Sequence, residues 1–262
     1  MGRFILSIIS ILFLQSTDAQ ALQLKLKDSI LYSVNELYID RLNQIYIFPK
    51  NTSDILKLNE NLSLNQKFSS PFIGSYVFLD AKDPMKILLF LPQFNNVNLY
   101  DESLAQISDE YFADFNAESA ICFHSSTQLC YFANNKINVK NIADNTIQSG
   151  EQIFYPRKKL NQVSQIKSNG KDIYLLLPGI GLWHFNAFLN IESFVEDYEI
   201  TRIELMDENL YYLKGNSIYQ RKEKEFKDYL ILSSNDHISR FAMNKSYLLI
   251  GTNKSIVRYS IK

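Results

Sequence analysis

Short apolar runs return along this chain about every forty residues. The strongest of them begin at residues 45, 86, 129, 172, 209 and 246. Each is followed by turn-forming residues, such as PQFNN at 92–96 and PGIG at 178–181, and then by a second apolar run. Pro, Gly, Asn and Asp favour hairpin turns because they preset φ or tolerate positive φ. The pattern therefore predicts a β-hairpin that is repeated six times.

A further strand-like run lies on each side of most of these hairpins. In the first repeat these runs are ELYID at 36–40 and LNQKF at 64–68. Four short strands in a repeat of about forty residues are typical of a β-propeller blade. A long β-sandwich, or a pair of sandwiches, is the rival fold, but it predicts no such period. The sequence therefore favours an all-β, six-bladed β-propeller of four-stranded blades.

The two ends of the chain complete this arrangement. The sixth repeat stops after SIVRYSI at 255–261 and has no fourth strand of its own. The segment at 22–34, LQLKLKDSILYSV, is a surplus strand ahead of the first repeat. If this N-terminal strand closes the last blade, two open sheet edges disappear. We therefore expect a ring closed by the N-terminal strand.

The first residues have the pattern of a secretory signal peptide. Arg3 precedes an apolar run at 4–14, and Thr17 and Ala19 are the small residues that precede a cleavage site. The run is too short for a membrane anchor, since a bilayer needs about twenty apolar residues. We therefore predict a signal peptide over residues 1–19 and a single propeller domain over 20–262, with export from the cytoplasm.

Composition excludes several classes of partner. The net charge is −1, which indicates neither a nucleic-acid surface nor a polybasic membrane patch. After the signal peptide no apolar run is long enough to span a bilayer, so we expect no direct membrane span. The chain is 46% hydrophobic, enough for a large core, and we expect a monomer when no partner is bound.

The residues that could perform chemistry form no catalytic signature. His124, His184 and His237 fall in different repeats without metal-site spacing, and there is no nucleophile elbow, P-loop or Rossmann glycine pattern. We therefore predict no cofactor and no enzyme activity. Propeller hydrolases of the lactonase type collect oxygen ligands around a central calcium ion. The residues of this kind near the inner strands are Asn35, Asp40, Asp80, Glu118 and Glu204.

Cys122 and Cys130 flank the turn HSSTQ at 124–128, which places them opposite each other on neighbouring strands. In an oxidising compartment they can form a cross-strand disulfide. Directly opposed strand positions often strain a disulfide, so two buried free thiols are the alternative. Both remain open at this point.

One face of a propeller carries the turns between second and third strands and the segments that link the blades. Apolar residues on such turns suit a protein-binding face, since rigid apolar anchors dominate interface energetics. Alternatively, Phe94 and Trp183 pack between blades as core. The candidate partner-binding residues are Pro49, Pro92, Gln93, Phe94, Asn95, Pro178, Ile180 and Trp183.

The stretch DPMKILLFLPQFNNVNLYDESLAQI at 83–107 resembles a small family of exported bacterial β-propeller proteins that includes the plug of the type nine secretion translocon. The shared pattern is an apolar strand, an aromatic turn, and a strand that ends in LD or YD before x-x-L. The resemblance is specific over some 25 residues and architectural over the rest. It implies a periplasmic protein at the outer membrane whose partner is a large outer-membrane barrel. It assigns no functional residue.

Three functions therefore remain. The leading hypothesis is a non-catalytic periplasmic propeller that docks on an outer-membrane assembly and plugs or regulates a protein-secretion translocon. The alternatives are a metal-dependent hydrolase of the lactonase class and a propeller that binds a small ligand or carbohydrate. All three predict the same fold, so the fold does not choose among them.

Overall fold

The computed structural model describes residues 22–69, 78–112, 119–155, 165–222 and 227–262. Residues 1–21, which include the predicted signal peptide, lie outside the described residues, as does Glu118. Within the described ranges the chain forms six antiparallel sheets of four strands each. Each sheet is one blade of the propeller.

The first strand in the chain, β1 (Leu24–Ile30), is the outer strand of the last blade. Blade 1 consists of β2 (Val34–Ile39), β3 (Ile45–Pro49), β4 (Asp54–Leu58) and β5 (Leu64–Ser69). Blade 2 consists of β6 (Phe78–Asp80), β7 (Ile87–Leu91), β8 (Asn96–Tyr100) and β9 (Gln106–Tyr111). Blade 3 consists of β10 (Ala120–Ser125), β11 (Gln128–Ala133), β12 (Lys136–Asn141) and β13 (Ile147–Gln152).

Blade 4 consists of β14 (Gln165–Ser168), β15 (Ile173–Leu177), β16 (Gly181–Phe185) and β17 (Ile191–Val195). Blade 5 consists of β18 (Ile200–Met206), β19 (Asn209–Lys214), β20 (Ser217–Lys222) and β21 (Lys227–Ser233). Blade 6 consists of β22 (Arg240–Met243), β23 (Tyr247–Gly251), β24 (Ile256–Ile261) and, as its fourth strand, β1.

The blades form a closed ring around a central channel. The first strand of each blade contacts the first strands of the two neighbouring blades, and β22 contacts β2 to close the circle. β1 pairs antiparallel with β24, with Leu24 opposite Ile261 and Ile30 opposite Ile256. The prediction of a six-bladed propeller closed by its N-terminal strand is therefore confirmed.

The propeller has two distinct faces. The segments that leave the outer strands are hydrogen-bonded to the turns between second and third strands. For example, the N–H of Phe112 donates to the carbonyl of Asn95 at 3.1 Å, and that of Ile153 donates to the carbonyl of Asn135 at 2.7 Å. We call this side the upper face. The lower face carries the turns between first and second strands and those between third and fourth strands.

The hydrophobic core is divided into six clusters, and each cluster is shared by two neighbouring blades. The second strands are covered on both sides, so that all five residues of β7 and of β15 are buried. An outer strand such as β5 alternates between exposed and half-buried residues instead. This difference explains why the second strands give the strongest apolar runs in the sequence.

A turn between third and fourth strands recurs in blades 1, 2 and 4. It begins with Asn59, Asp101 or Asn186, and the residue three positions later is a leucine with positive φ. The Asp101 carboxylate accepts hydrogen bonds from the N–H groups of Ser103 and Ala105 at 2.8 and 3.0 Å. The side chain of Asn186 caps its own turn in the same way. The local hydrogen bonds hold a conformation that leucine rarely adopts.

The leucine of this turn packs into the core that the blade shares with the preceding blade. Leu104 and Leu189 are 7% and 1% exposed, and they join the clusters between blades 1 and 2 and between blades 3 and 4. The LD or YD before x-x-L in the 83–107 segment is thus a turn that fastens one blade to the next. The fold itself therefore explains why the sequence has this pattern.

Leu189→Ala is expected to lower the free energy of unfolding by about 2 to 4 kcal/mol, because it empties a buried site between two blades. Gly150 of blade 3 lies against this turn, so close that a Cβ there would be 2.6 Å from the Leu189 carbonyl oxygen. Urea unfolding measures the change. Leu64→Ala, at a residue that is 58% exposed, is the matched control. Equal effects of the two variants would contradict the fastening role.

Candidate functional site

The channel is lined by charged side chains from the innermost strands of five blades. Three are acidic and three are basic, so their charges balance. They are Glu36, Asp80, Lys167, Arg202, Glu204 and Arg240. Buried charges are costly unless they are paired, so their placement in pairs is the main electrostatic feature of the channel.

Near the upper end of the channel, two arginines share one carboxylate. Glu36 Oε1 accepts from Arg202 Nη2 at 2.7 Å and from Arg240 Nε at 3.1 Å. The buried Nε of Arg202 has no hydrogen-bond partner among the described residues. Burial and the neighbouring guanidinium of Arg202 lower the pKa of Arg240. We call these three residues the upper cluster.

The lower part of the channel holds Asp80, Lys167 and Glu204, which we call the lower cluster. Lys167 Nζ contacts both carboxylate oxygens of Glu204, at 3.0 and 2.9 Å. Burial alone would lower the pKa of Lys167, but the carboxylates of Glu204 and Asp80 outweigh it and hold the pKa above its usual value. Lys167 is therefore a permanent ammonium. Burial, with the charge of Glu36, raises the pKa of the neighbouring Tyr38 phenol.

A cavity of about 190 Å³ opens from the lower cluster to the lower face. Its polar floor is formed by Tyr38 together with the lower cluster. Its walls are largely apolar and come from the ends of the inner strands. They include Leu79, Ala81, Leu205, Met206, Ala242 and Met243. We call this cavity the cup.

The rim of the cup is held by polar contacts between every two neighbouring blades. Each contact joins side chains or carbonyls at the lower ends of two inner strands. In ring order they are Arg41–Asp83 (3.0 Å), Lys86–Ser126 carbonyl (3.0 Å), His124–Ser168 (2.8 Å), Asn169–Asp207 carbonyl (3.1 Å), Lys245–Asp207 (3.1 Å) and Asn244–Asp40 carbonyl (2.6 Å). This polar rim fixes the width of the lower mouth.

The upper face exposes large apolar side chains near its linking segments and turns. Leu31 is 87% exposed, Phe154 is 83%, Tyr198 is 50% and Phe94 is 46%. We call these four residues the upper apolar set. Among the described residues, the turns of the lower face expose fewer side chains of this kind, of which Phe188, at 77%, is the most exposed.

The predicted partner-binding residues are only partly placed for that role. Gln93 and Phe94 are exposed, and Pro49, Pro92 and Asn95 are half-buried. Pro178, Ile180 and Trp183 are buried, so their prediction as surface anchors is wrong. Trp183 lies in the cluster between blades 3 and 4, with its ring 4.3 Å from that of Phe194. The indole is therefore part of the core between these two blades.

The histidines do not converge. His124 contacts Ser168, His184 contacts Asp172 at 3.0 Å, and His237 contacts Asn216. Among the described residues, no group of three or more His, Cys, Asp or Glu side chains is arranged to hold a metal ion.

The predicted calcium ligands are engaged elsewhere. Asp40 is buried, and its oxygens accept from the N–H groups of Leu42 and Gln44 and from the Tyr46 hydroxyl. Among the described residues of this set, Asp40, Asp80 and Glu204 all line the cup, and Asp80 and Glu204 lie beside Lys167.

Cys122 and Cys130 are directly opposite each other on β10 and β11, as the sequence predicts. Both are buried and carry free thiols in this structure. Burial, and then the neighbouring Cys130, raise the pKa of the Cys122 thiol. The pair therefore behaves here as two small buried apolar residues.

The fold and the channel together define a six-bladed β-propeller with a charge-balanced centre. No family model and no curated protein matches this chain. In the parts of the chain that the structure describes, no helix is long and apolar enough to cross a membrane.

Three solved structures are similar over 92% of this chain. A streptogramin B lyase is 10% identical, with a TM-score of 0.56 and 97% of its own chain covered. Virginiamycin B lyase from Staphylococcus aureus is 11% identical, with a TM-score of 0.61 and full coverage. The Cps50 (Swd1) β-propeller domain from Myceliophteria thermophila is 10% identical, with a TM-score of 0.63 and full coverage. At these identities the likeness concerns the fold alone.

Proposed function

We propose that this chain is an exported, non-catalytic propeller that docks through its upper face on a large outer-membrane barrel and plugs the periplasmic mouth of a protein-secretion translocon. The observation that carries the proposal is the upper apolar set. Exposed aromatic and aliphatic side chains on a rigid ring are the anchors that protein interfaces use most.

Two features of the sequence support export and docking at the outer membrane. The signal-peptide pattern at residues 1–19 directs the chain out of the cytoplasm, and the 83–107 segment resembles the family that includes a translocon plug. Phe94, the aromatic residue of the turn in that segment, belongs to the upper apolar set and is 46% exposed.

The channel supports a binding role over calcium-dependent hydrolysis. Lys167 supplies the cation beside Glu204, at 2.9 Å, where a lactonase-type site would need the metal. A calcium ion requires six to eight oxygen ligands and would be repelled by a permanent ammonium at that distance. The metal-dependent hydrolase is therefore the less favoured alternative.

The double variant Leu31→Glu/Phe154→Glu is expected to abolish docking, because it places two charges at the centre of an apolar contact and leaves the folded ring intact. The tagged chain, expressed in its native cells, is crosslinked and purified from gently solubilised envelopes. We expect the unmodified chain to retain one large outer-membrane barrel and the double variant to lose it. Cells that carry the double variant should also admit large antibiotics normally excluded by the outer membrane.

Phe188→Glu is the matched control, since Phe188 is equally exposed but lies on the lower face. It is expected to retain the barrel and the permeability barrier. Loss of the barrel with Phe188→Glu and its retention with the double variant would overturn docking through the upper face. Purification without any envelope protein would overturn the proposed function.

A further inference from the structure

The cup at the lower end of the channel has the form of a binding site. Its volume of about 190 Å³ is far larger than one water molecule needs, and it opens on the face opposite the upper apolar set. Apolar walls from Leu79, Met206 and Met243 surround a charged floor. A few polar groups at the base of an apolar concavity are the usual composition of a small-molecule pocket.

The floor of the cup has two carboxylates and one ammonium, so it carries one more negative than positive charge. Lys167 is bonded to both oxygens of Glu204, so these two charges cancel. The Asp80 carboxylate instead accepts from two neutral donors, the N–H of Phe123 at 2.9 Å and the N–H of Lys82 at 3.2 Å. Among the described residues no cation lies in a salt bridge with Asp80.

This combination selects the charge of an occupant. At the floor an anion would meet Asp80 and Glu204 in a confined space of reduced dielectric, where like charges repel strongly. The other cations of the lining, Arg41, Lys82 and Lys245, are exposed at the mouth, where water screens them. A divalent metal would meet the Lys167 ammonium and too few free oxygens. A singly charged organic cation is repelled less by Lys167 than a divalent ion and needs no shell of six to eight oxygens. It can neutralise Asp80 and leave the Lys167–Glu204 pair intact.

The lining also selects the form of the cation. Tyr38 is the single aromatic residue among the described residues of the cup, so there is no aromatic cage for a quaternary ammonium. A primary ammonium can instead donate hydrogen bonds to carboxylates, which are the strong charge-assisted kind. We propose that the cup binds a small molecule with a primary ammonium group on a short apolar body, with the ammonium at Asp80 and the apolar body against Met206 and Met243.

The rim favours this binding because it is already formed. Contacts between neighbouring blades, such as Arg41–Asp83 and Lys245–Asp207, hold the lower mouth open without an occupant. A preorganised pocket loses less conformational entropy when it binds. Since the cup and the upper apolar set lie on opposite faces, the small molecule and the protein partner can be bound at the same time.

Calorimetric titration of the purified chain 20–262 at neutral pH tests the proposal. The probes are n-butylammonium, tetramethylammonium, n-butanol and butyrate. We expect one site for n-butylammonium and affinities lower by about tenfold or more for the other three, because each lacks the donor or the positive charge. Asp80→Asn retains an oxygen acceptor but removes the charge, and it should weaken n-butylammonium binding by about tenfold or more.

Asp144→Asn is the control variant, because Asp144 is exposed on a lower-face turn of blade 3 and takes no part in the cup or its rim. It should leave the affinity unchanged. Met206→Trp, at a half-buried wall residue, should block binding by filling the cup without altering its charge. Thermal unfolding confirms that each variant is folded. Equal affinities for all four probes, no heat with n-butylammonium, or unchanged binding in Asp80→Asn would each overturn the proposal. None of these results depends on the protein partner.

Discussion

A chain that begins at Leu31, and therefore lacks β1, is expected to lose its folded monomeric state. Its last blade would expose the edge of β24 to solvent and to other chains. Arg258 of β24, whose side chain is 3% exposed, would lose the Asp28 carboxylate that pairs with it. Leu22 and Leu24 would also leave the cluster between blades 5 and 6. Circular dichroism and size-exclusion chromatography should show an unfolded or aggregated chain.

A circular permutant keeps β1 but moves it to the C-terminus. It therefore shows whether the truncated chain fails because it lacks this strand or because its N-terminus has changed. Lys262 N–H donates to the Gln23 carbonyl at 3.0 Å, so the two ends already lie beside each other. Residues 23–31 can therefore follow Lys262 through an Asn-Gly hairpin turn, with the same strand pairing. We expect this permutant to fold as a monomer. A stable monomer of the truncated chain would show instead that the last blade does not need its fourth strand.

Glu36→Ala is expected to lower the free energy of unfolding by about 3 to 5 kcal/mol, because it leaves two guanidinium groups inside the channel without their shared carboxylate. The side chains of Glu36, Arg202 and Arg240 are 7%, 14% and 25% exposed, so water screens them poorly. Urea unfolding at constant ionic strength measures the change.

Two further variants show whether charge is the cause. Glu36→Ala combined with Arg202→Met and Arg240→Met removes the whole upper cluster, and most of the lost stability should return because no unpaired charge remains. Glu151→Ala, at an exposed position of β13, should change stability by no more than about 0.5 kcal/mol. If Glu36→Ala costs no more than Glu151→Ala, the arginines do not depend on Glu36.

The fold could be predicted from the sequence because its signals are local. Each hairpin can be recognised within about fifteen residues of sequence. Its second strand, such as β15, is a continuous apolar run because it is covered on both sides, and its turn is rich in Pro, Gly or Asn. The closure of the ring was also predictable, since the surplus segment at 22–34 matched the missing strand after 255–261.

The channel could not be predicted in the same way. Glu36 and Arg202 meet across a sequence separation of 166 residues, and the inner strands of five blades contribute only one or two charged side chains each. No spacing in the sequence marks such a set, because the ring alone brings its members together. The sequence marks Asp80 and Glu204 as candidate calcium ligands, but nothing in it places Lys167 beside them.

The sequence identifies the turns of the upper face, but it does not show which of their side chains are exposed. Trp183 and Ile180 follow a turn on the upper face, yet their side chains enter the core between blades. Phe154 and Leu31 lie just after outer strands and are among the most exposed apolar residues. Position on a turn does not determine burial, which depends on the neighbouring blade. Both residues lie in segments that link two blades, and these segments belong to the upper face as much as the turns do.

The closure of the ring also has a consequence for how the protein is made. β1 leaves the ribosome first and β24 last, and the Arg258–Asp28 contact joins residues 230 positions apart. β1 therefore has no β24 to pair with until nearly the whole chain has been translated. Its charges at Lys25, Lys27 and Asp28 are of the kind that keep a free strand edge from joining other chains. The native closure of the ring therefore cannot form before β24 has been made.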